Sequence, residues 1–296
     1  MKILLVGSNG QLASHYFTSN FKKKITFFSK KDLDISKKNR VLDICKDLNP
    51  KYIINCAAFT KVNNCEIKKN KAIKVNSIGP KNLSLAAKYL DIPIIHFSSD
   101  YVFNGYLNRP YNEKDIPEPI NFYGKTKLEG ENYIRNITKK HLIFRVSWLF
   151  GKSKNNFVYF VINNILKNNK IRIVNDQFSI PTYCDDLIDI TIKAISKSDK
   201  FIDLYGTYHF TSNGKKISWY NFALQILKFI KKNFNHKYSS SNIIPISTKE
   251  YKSIFKVNIN RPKYSVLDST LSKKNFNFYG KDWNVSLEKL IRCYKY

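Results

Sequence analysis

The 296-residue chain reads as an α/β protein, a doubly wound parallel sheet with a smaller C-terminal substrate-binding lobe. Three observations predict it. Short, wholly apolar runs of strand length recur through the first half, helical patterns separate most of them, and the first run leads straight into a glycine turn that opens a helix. The length and a 43% hydrophobic content suffice for a sizeable core, in one large domain or two modest ones.

The first buried strand is "KILLV" (2–6), and "GSNGQLASHYF" is the turn and helix that follow it. The buried pattern returns in "ITFF" (25–28), "YIINCAA" (52–58), "IPIIHFSS" (92–99) and "HLIFRVS" (141–147). Right-handed crossovers put the loops after parallel strands on one rim, so "GSNG", "AAFT", "SSDY" and the start of the "YGKTK" helix converge on one cleft. After about residue 150 the pattern loosens into "NNFVYFVINNILKNN", "IRIVNDQFSIPTY", an amphipathic helix near 184–198 and the helix "WYNFALQILKFIKKNF". Residues 1–150 are therefore expected as the first domain. Residues 151–296 are expected mainly as a substrate-holding lobe, with some segments returning to the first domain. There are no repeats and no Pro/Gly/Ser linker; "KYSSSN" (237–242) reads as a surface loop.

No run of about 18 apolar residues appears, and "MKILLVGSNG" reaches a glycine turn too soon for a signal peptide. A soluble, cytoplasmic protein without a membrane partner is the expectation. The five cysteines (Cys45, Cys56, Cys65, Cys184, Cys293) are odd in number, widely spaced and without a CxxC pair, so reduced structural thiols are expected and no metal site. The formal net charge of +29 comes from lysines scattered beside Asn and Ile, as in "NNILKNNKIRIVND". Such scatter reads as compositional bias and suggests no specific nucleic-acid partner, while a positive field favours phosphate-bearing small molecules.

Gly7 and Gly10 let the backbone approach a pyrophosphate, whose charge exposed amides at the helix start would stabilise. The spacing, GxxGxx followed by Ala13, is neither the GxGxxG fingerprint nor a Walker loop, and a tight structural turn explains it nearly as well. The second strand ends in "FFSKKDLDIS" instead of an acidic residue suited to the ribose of NAD. Ser29, Lys30 and Lys31 fit a 2′-phosphate and hence NADPH, although compositional bias explains the lysines equally well. Asp34 and Ile35 sit where an adenine would meet a carboxylate and an apolar side chain. In "NFYGKTKLEGEN" (121–132), Tyr123 and Lys127 share one helix face. An ammonium beside a phenol lowers its pKa and makes it a usable proton donor and acceptor. Such pairs arise by chance in a chain rich in Tyr and Lys. The pair gains weight from "FSSDYVFNG", where a buried strand ends in Ser99, whose hydroxyl can hold a substrate oxygen.

These residues stand within ten motifs in order: "GSNGQLA", "LDIS", "NCAAFTKVNNCE", "VNSIGPKNL", "FSSDYVFNG", "YGKTKLEGE", "FRVSWLFG", "NNF", "NDQFSIPT" and "RPKYSVLD". Over nearly the whole chain they resemble the extended short-chain dehydrogenase/reductases and, within them, the dTDP-4-dehydrorhamnose reductases. The resemblance implies a Rossmann-like NAD(P)-binding domain over residues 1–150 and NADPH or NADH as cofactor. It further implies reduction of the C4 keto carbon of a dTDP-sugar to give dTDP-L-rhamnose, for a cell-surface polysaccharide such as lipopolysaccharide O-antigen. Tyr123 would be the general acid, Lys127 would lower its pKa and bind the nicotinamide ribose, and Ser99 would orient the carbonyl. By the same resemblance Gly7, Gly10, Gln11 and Leu12 serve the pyrophosphate, and Ser29, Asp34 and Ile35 the adenosine half. Ala58, Phe59 and Thr60 would line the cofactor cleft, with Asn76 and Phe97 near it. Ser99, Asp100, Tyr123 and Trp148 would hold the nucleotide sugar; for Trp148, a core aromatic beside "FRVS" is a competing reading.

The chain departs from the family pattern at Ala13, Asn63, Asn104, Ser179 and Tyr264, none of which removes the acid, its lysine or the hydroxyl. A related dehydratase would carry Asp-Glu where this chain has Asp100-Tyr101. A related epimerase and a non-catalytic NADP-binding regulatory subunit compete with the reductase, the regulatory subunit having no need to keep Ser99, Tyr123 and Lys127 together. A homodimer, and Mg2+ at its interface, are left open by the resemblance and are not predicted by the residues.

Overall fold

Apolar runs of four to six residues are long enough to cross a sheet and too short for a helix, and each becomes a buried parallel strand. In this computed structural model, residues 2–198, 202–234 and 239–294 are described. The strands are β1 (Ile3–Val6), β2 (Ile25–Phe28), β3 (Tyr52–Asn55), β4 (Ile94–Ser99) and β5 (His141–Val146). They pair in the order β5–β4–β3–β1–β2, all parallel, and the strand Gly206–Phe210 extends the sheet beyond β5. The expected α/β parallel sheet is thus observed, with six strands.

The order reverses between β1 and β3, and that switch point is where open α/β sheets leave a crevice. Register aligns Val6 with Asn55 and Asn55 with His96, while β4 and β5 run on together for three more residues to Ser99 and Val146. The helices Gln11–Thr18, Lys38–Leu48, Gly79–Tyr89 and Phe122–Ile137 cover the sheet. One face buries Leu4, Val6, Val41, Ile53 and Leu83. The other buries Leu5, Tyr16, Ile54 and Phe144 together with Leu187, Ile188 and Ile195 of the helix Cys184–Ser198, the amphipathic helix expected near 184–198. Buried His15 clamps that helix to the first: its Nδ1 is 2.5 Å from Asp185 Oδ1, and its Nε2 accepts the Lys152 amide at 3.0 Å.

The remainder of the second half has its own core. The helix Trp219–Phe234 packs with the helices Phe157–Leu166 and Trp283–Arg292 around Phe222, Ile226, Trp283 and Leu287. The strand Ile171–Val174 pairs in parallel with Ile243–Ile246. Of the loop expected at 237–242, Lys237 and Tyr238 lie outside the described residues, and Ser240–Asn242 forms a single 3-10 turn. No helix among the described residues is long and apolar enough to cross a membrane.

Candidate active site

The glycine turn follows β1 directly. Gly7 has φ +80°, and a side chain there would bring its Cβ within 2.5 Å of the Ala57 nitrogen, so only glycine lets the loops after β1 and β3 close at the switch point. Gly10 caps the helix Gln11–Thr18 without a side-chain bond, leaving its first-turn amides free of a side-chain cap. That cradle fits a pyrophosphate. Leu12 is buried in the core, and Gln11 Nε2 lies 3.5 Å from Cys184 Sγ, so neither side chain is turned to the cleft and their backbone amides are what remains for a ligand.

Beside the turn lies a cavity of about 600 Å3 lined by Lys30, Asp34, Ser36, Lys37, Lys71 and Lys74 among others. Asp34 Oδ1 accepts both the amide and the hydroxyl of Ser36, and Ser29 is tied to Asp32 by its own amide. Ile35, expected beside the adenine, is buried in the core against Gly79, where a methyl group would collide with it. Lys37, Lys71 and Lys74 escape a reading of the sequence because they come from segments about 35 residues apart, with nothing to distinguish them from other lysines.

The loop Ala58–Thr60 is held by Asn76. Its Oδ1 accepts the Phe59 amide at 2.8 Å and its Nδ2 donates to the Phe59 carbonyl and to Thr126 Oγ1. Asn76 is wholly buried within a π-helical stretch, Lys74–Ile78. It shapes the cleft from behind.

The strand β4 ends in Ser99, whose hydroxyl donates to Asp100 Oδ1 at 2.9 Å and accepts the Tyr101 amide at 3.1 Å. Asp100 Oδ2 is buried near Ser265 without a hydrogen bond of normal geometry, and burial pushes this carboxyl up to about 7. Facing β4, Asn121 caps the helix Phe122–Ile137 by accepting the Gly124 amide, which places Tyr123 in the first turn and Lys127 one turn on. Tyr123 is 8% exposed, Lys127 1% and Ser99 6%, and the Tyr101 ring meets Tyr123 edge-on at 5.7 Å.

Burial, and not Lys127, sets the direction for the Tyr123 phenol in the cofactor-free site. Burial pushes the phenol well above its ordinary range, against the opposing Ser99 hydroxyl. Lys127 does not offset this, because Nζ donates to the Phe97 carbonyl at 2.7 Å and lies 3.2 Å from His96 Nε2; burial lowers it to about 8. Phe97 itself stacks in the core on Phe144 and reaches the site through that carbonyl.

Trp148 leaves β5 with φ +46°, a strained conformation for a bulky side chain, and stacks on Trp219 at 3.6 Å between ring centroids. Trp219, together with the buried polar residues Asn55, His96, Glu131 and Arg145, was missed in the sequence. For Asn55, His96 and Arg145, polar residues inside otherwise apolar central strands, that placement was the available signal.

A family model described as the RmlD substrate binding domain matches residues 1–296. The dTDP-4-dehydrorhamnose reductase of Aggregatibacter actinomycetemcomitans is 34% identical over 298 residues, spanning 99% of this chain and 99% of that protein. This chain belongs to the dTDP-4-dehydrorhamnose reductase family. Among solved structures of that family, the reductase from Bacillus anthracis str. Ames in complex with NADP superposes with a TM-score of 0.88 at 34% identity, covering 98% of this chain and 99% of that one. The Clostridium acetobutylicum reductase gives 0.87 at 36% identity, covering 98% of each chain. The resemblance carried by the ten motifs is therefore borne out, and the family is one of oxidoreductases.

Proposed function

We propose that this chain reduces the C4 keto group of dTDP-4-dehydro-L-rhamnose to give dTDP-L-rhamnose for a cell-surface polysaccharide. NADPH, or NADH, is the cofactor of this reading and supplies the hydride when bound. The observation that carries it is the convergence of Ser99, Tyr123 and Lys127 at the rim that also bears the Gly7–Gly10 cradle. In this reading the amides after Gly10 hold the pyrophosphate, the loop Ala58–Thr60 lines the cleft, and the lysine-lined cavity beside Ser29 and Asp34 takes the adenosine end with preference for a 2′-phosphate. The lobe after residue 150, with Trp148 stacked on Trp219, holds the nucleotide sugar.

A phenol whose pKa is raised by burial stays protonated across the physiological range, which suits Tyr123 to donate its proton to the C4 oxygen as negative charge develops there. Ser99 exchanges its bond to Asp100 for one to the carbonyl and fixes its direction. Tyr101, packed on Tyr123, stands where a dehydratase would need a second carboxylate. The test follows loss of reduced-nicotinamide absorbance with dTDP-4-dehydro-L-rhamnose, using NADPH and NADH in parallel. Tyr123→Phe should lower kcat by about 10²- to 10⁴-fold while cofactor affinity stays near that of the parent. Cofactor bound but never consumed by the parent protein would sink the proposal in favour of a regulatory subunit.

A further inference from the structure

Lys127 ends a buried chain of three polar side chains, of which the proposed reduction leaves Asn55 and His96 unused. Its Nζ lies 3.2 Å from His96 Nε2, and His96 Nδ1 lies 3.0 Å from Asn55 Nδ2. At the far end Asn55 Oδ1 accepts the Ala57 amide at 3.0 Å. Asn55, His96 and Lys127 are 1%, 0% and 1% exposed, so water does not complete their bonding.

Counting donors settles which way each bond runs. The Ala57 N–H can only donate, so the amide oxygen of Asn55 faces it and the NH2 faces His96. A neutral imidazole then accepts at Nδ1 and carries its single hydrogen on Nε2, aimed at Lys127. An ammonium has no lone pair and meets that N–H donor to donor. An uncharged amine accepts it and still donates to the Phe97 carbonyl at 2.7 Å. The other tautomer moves the clash to Asn55, and a protonated His96 has a clash at both ends.

We propose that Asn55 and His96 are positioning residues that hold Lys127 as an uncharged amine in the cofactor-free protein, and that Lys127 takes up a proton when cofactor binds. The proposal rests on the reading of Lys127 as the partner of Tyr123 and the cofactor. Ribose hydroxyls that accept from Lys127, and the negative charge that the cofactor adds to the cleft, favour its ammonium. The charged and titratable surroundings are consistent. Glu131, one turn further along the helix, favours the ammonium, but it is paired with Arg145 of β5 and Arg135 of its own helix. Arg145 in turn contacts neutral His209, while Tyr123 lies one turn before Lys127 and Asp100 follows β4. Burial and then Lys127 hold His96 well below its usual range.

The test is an NMR titration of 13C-labelled lysine in the full, ligand-free chain, with the Lys127 resonance assigned by its absence from Lys127→Arg. The expected midpoint is no higher than about 8. In His96→Gln a side-chain oxygen can accept from the ammonium. In Asn55→Asp the carboxylate accepts from Nδ1 and turns Nε2 into an acceptor. Each variant should raise the midpoint by about one pH unit or more. Calorimetry of NADPH binding at a pH above the midpoint, in buffers of different ionisation heat, should show proton uptake in the parent that both variants reduce. An unchanged midpoint in a folded variant, or no proton uptake by the parent, overturns the proposal. Should one variant fail to fold, the other decides. The titration needs no turnover, so its failure leaves the reductase reading standing, and failure of Tyr123 as the acid leaves the titration intact.

Discussion

At the proposed nucleotide end of the cleft the groups that can face a ligand are mostly backbone: a glycine turn, uncapped helix amides and a loop pinned by Asn76. At the proposed reacting end they are side chains, each wholly or nearly buried and each dependent on another segment. Backbone sites are specified by local conformation and tolerate side-chain change, provided the φ angle is available. Buried side-chain sites carry desolvated charge, and their stability depends on every partner being present. The Glu131–Arg145 pair beneath Lys127 shows the difference: Nη2 to Oε2 is 2.7 Å, Glu131 is 0% exposed, and Arg135 adds a second bond at 2.9 Å.

Removing that charge tests the contrast most severely. Glu131→Gln leaves Arg145 buried and unpaired and should cost about 3–5 kcal/mol in urea unfolding. Burial raises the Glu131 carboxyl, but the two arginines more than offset it and hold it at about 2, below its ordinary value of 4.5. Its folded pKa is depressed, so its contribution is present above about pH 4.5 and is lost as pH falls toward 2. The variant should flatten the stability slope in that window; an unaltered slope would detach Glu131 from acid stability.

A smaller effect is expected from Gly7→Ala. A Cβ 2.5 Å from the Ala57 nitrogen at φ +80° should cost about 1–3 kcal/mol. NADPH affinity should fall with it by about tenfold or more, read by calorimetry. Parent-like stability with parent-like affinity would mean the two loops can separate freely, and the backbone account of this end would fail. The smallest effect belongs to the exposed lysines. Lys71→Ala combined with Lys74→Ala should weaken 2′,5′-ADP binding about threefold to tenfold while leaving 5′-AMP unchanged, with the difference shrinking at high salt. Equal losses for both nucleotides would remove the lysine cavity from 2′-phosphate recognition.

The same division marks what could be read in advance. Apolar runs and a glycine between strand and helix are local signals, so β1 to β5 and the turn at Gly7 were legible, as was the i,i+4 placement of Tyr123 and Lys127. Trp219 was hidden because its stacking partner lies 71 positions away by number and the aromatic content is high throughout. The packing of Ile35 was not legible because an apolar residue in the loop after β2 suits a ligand or a core equally well until Gly79 is seen against it.

By itself the sequence determined the parallel sheet, the glycine turn between strand and helix, the family and the placement of Tyr123 and Lys127 on one helix face, since each is encoded in short-range pattern or in motif order. The protonation behaviour of that pair was decided only by the tertiary structure. The phenol is raised and not lowered because burial acts on it while Lys127 bonds to Phe97 and His96. The partners that orient His96 and Lys127 lie 41 and 31 positions away along the chain, brought together by the register of β3 and β4 and the docking of one helix. Desolvation and donor matching exist only once those segments pack, and no spacing within a single segment encodes them.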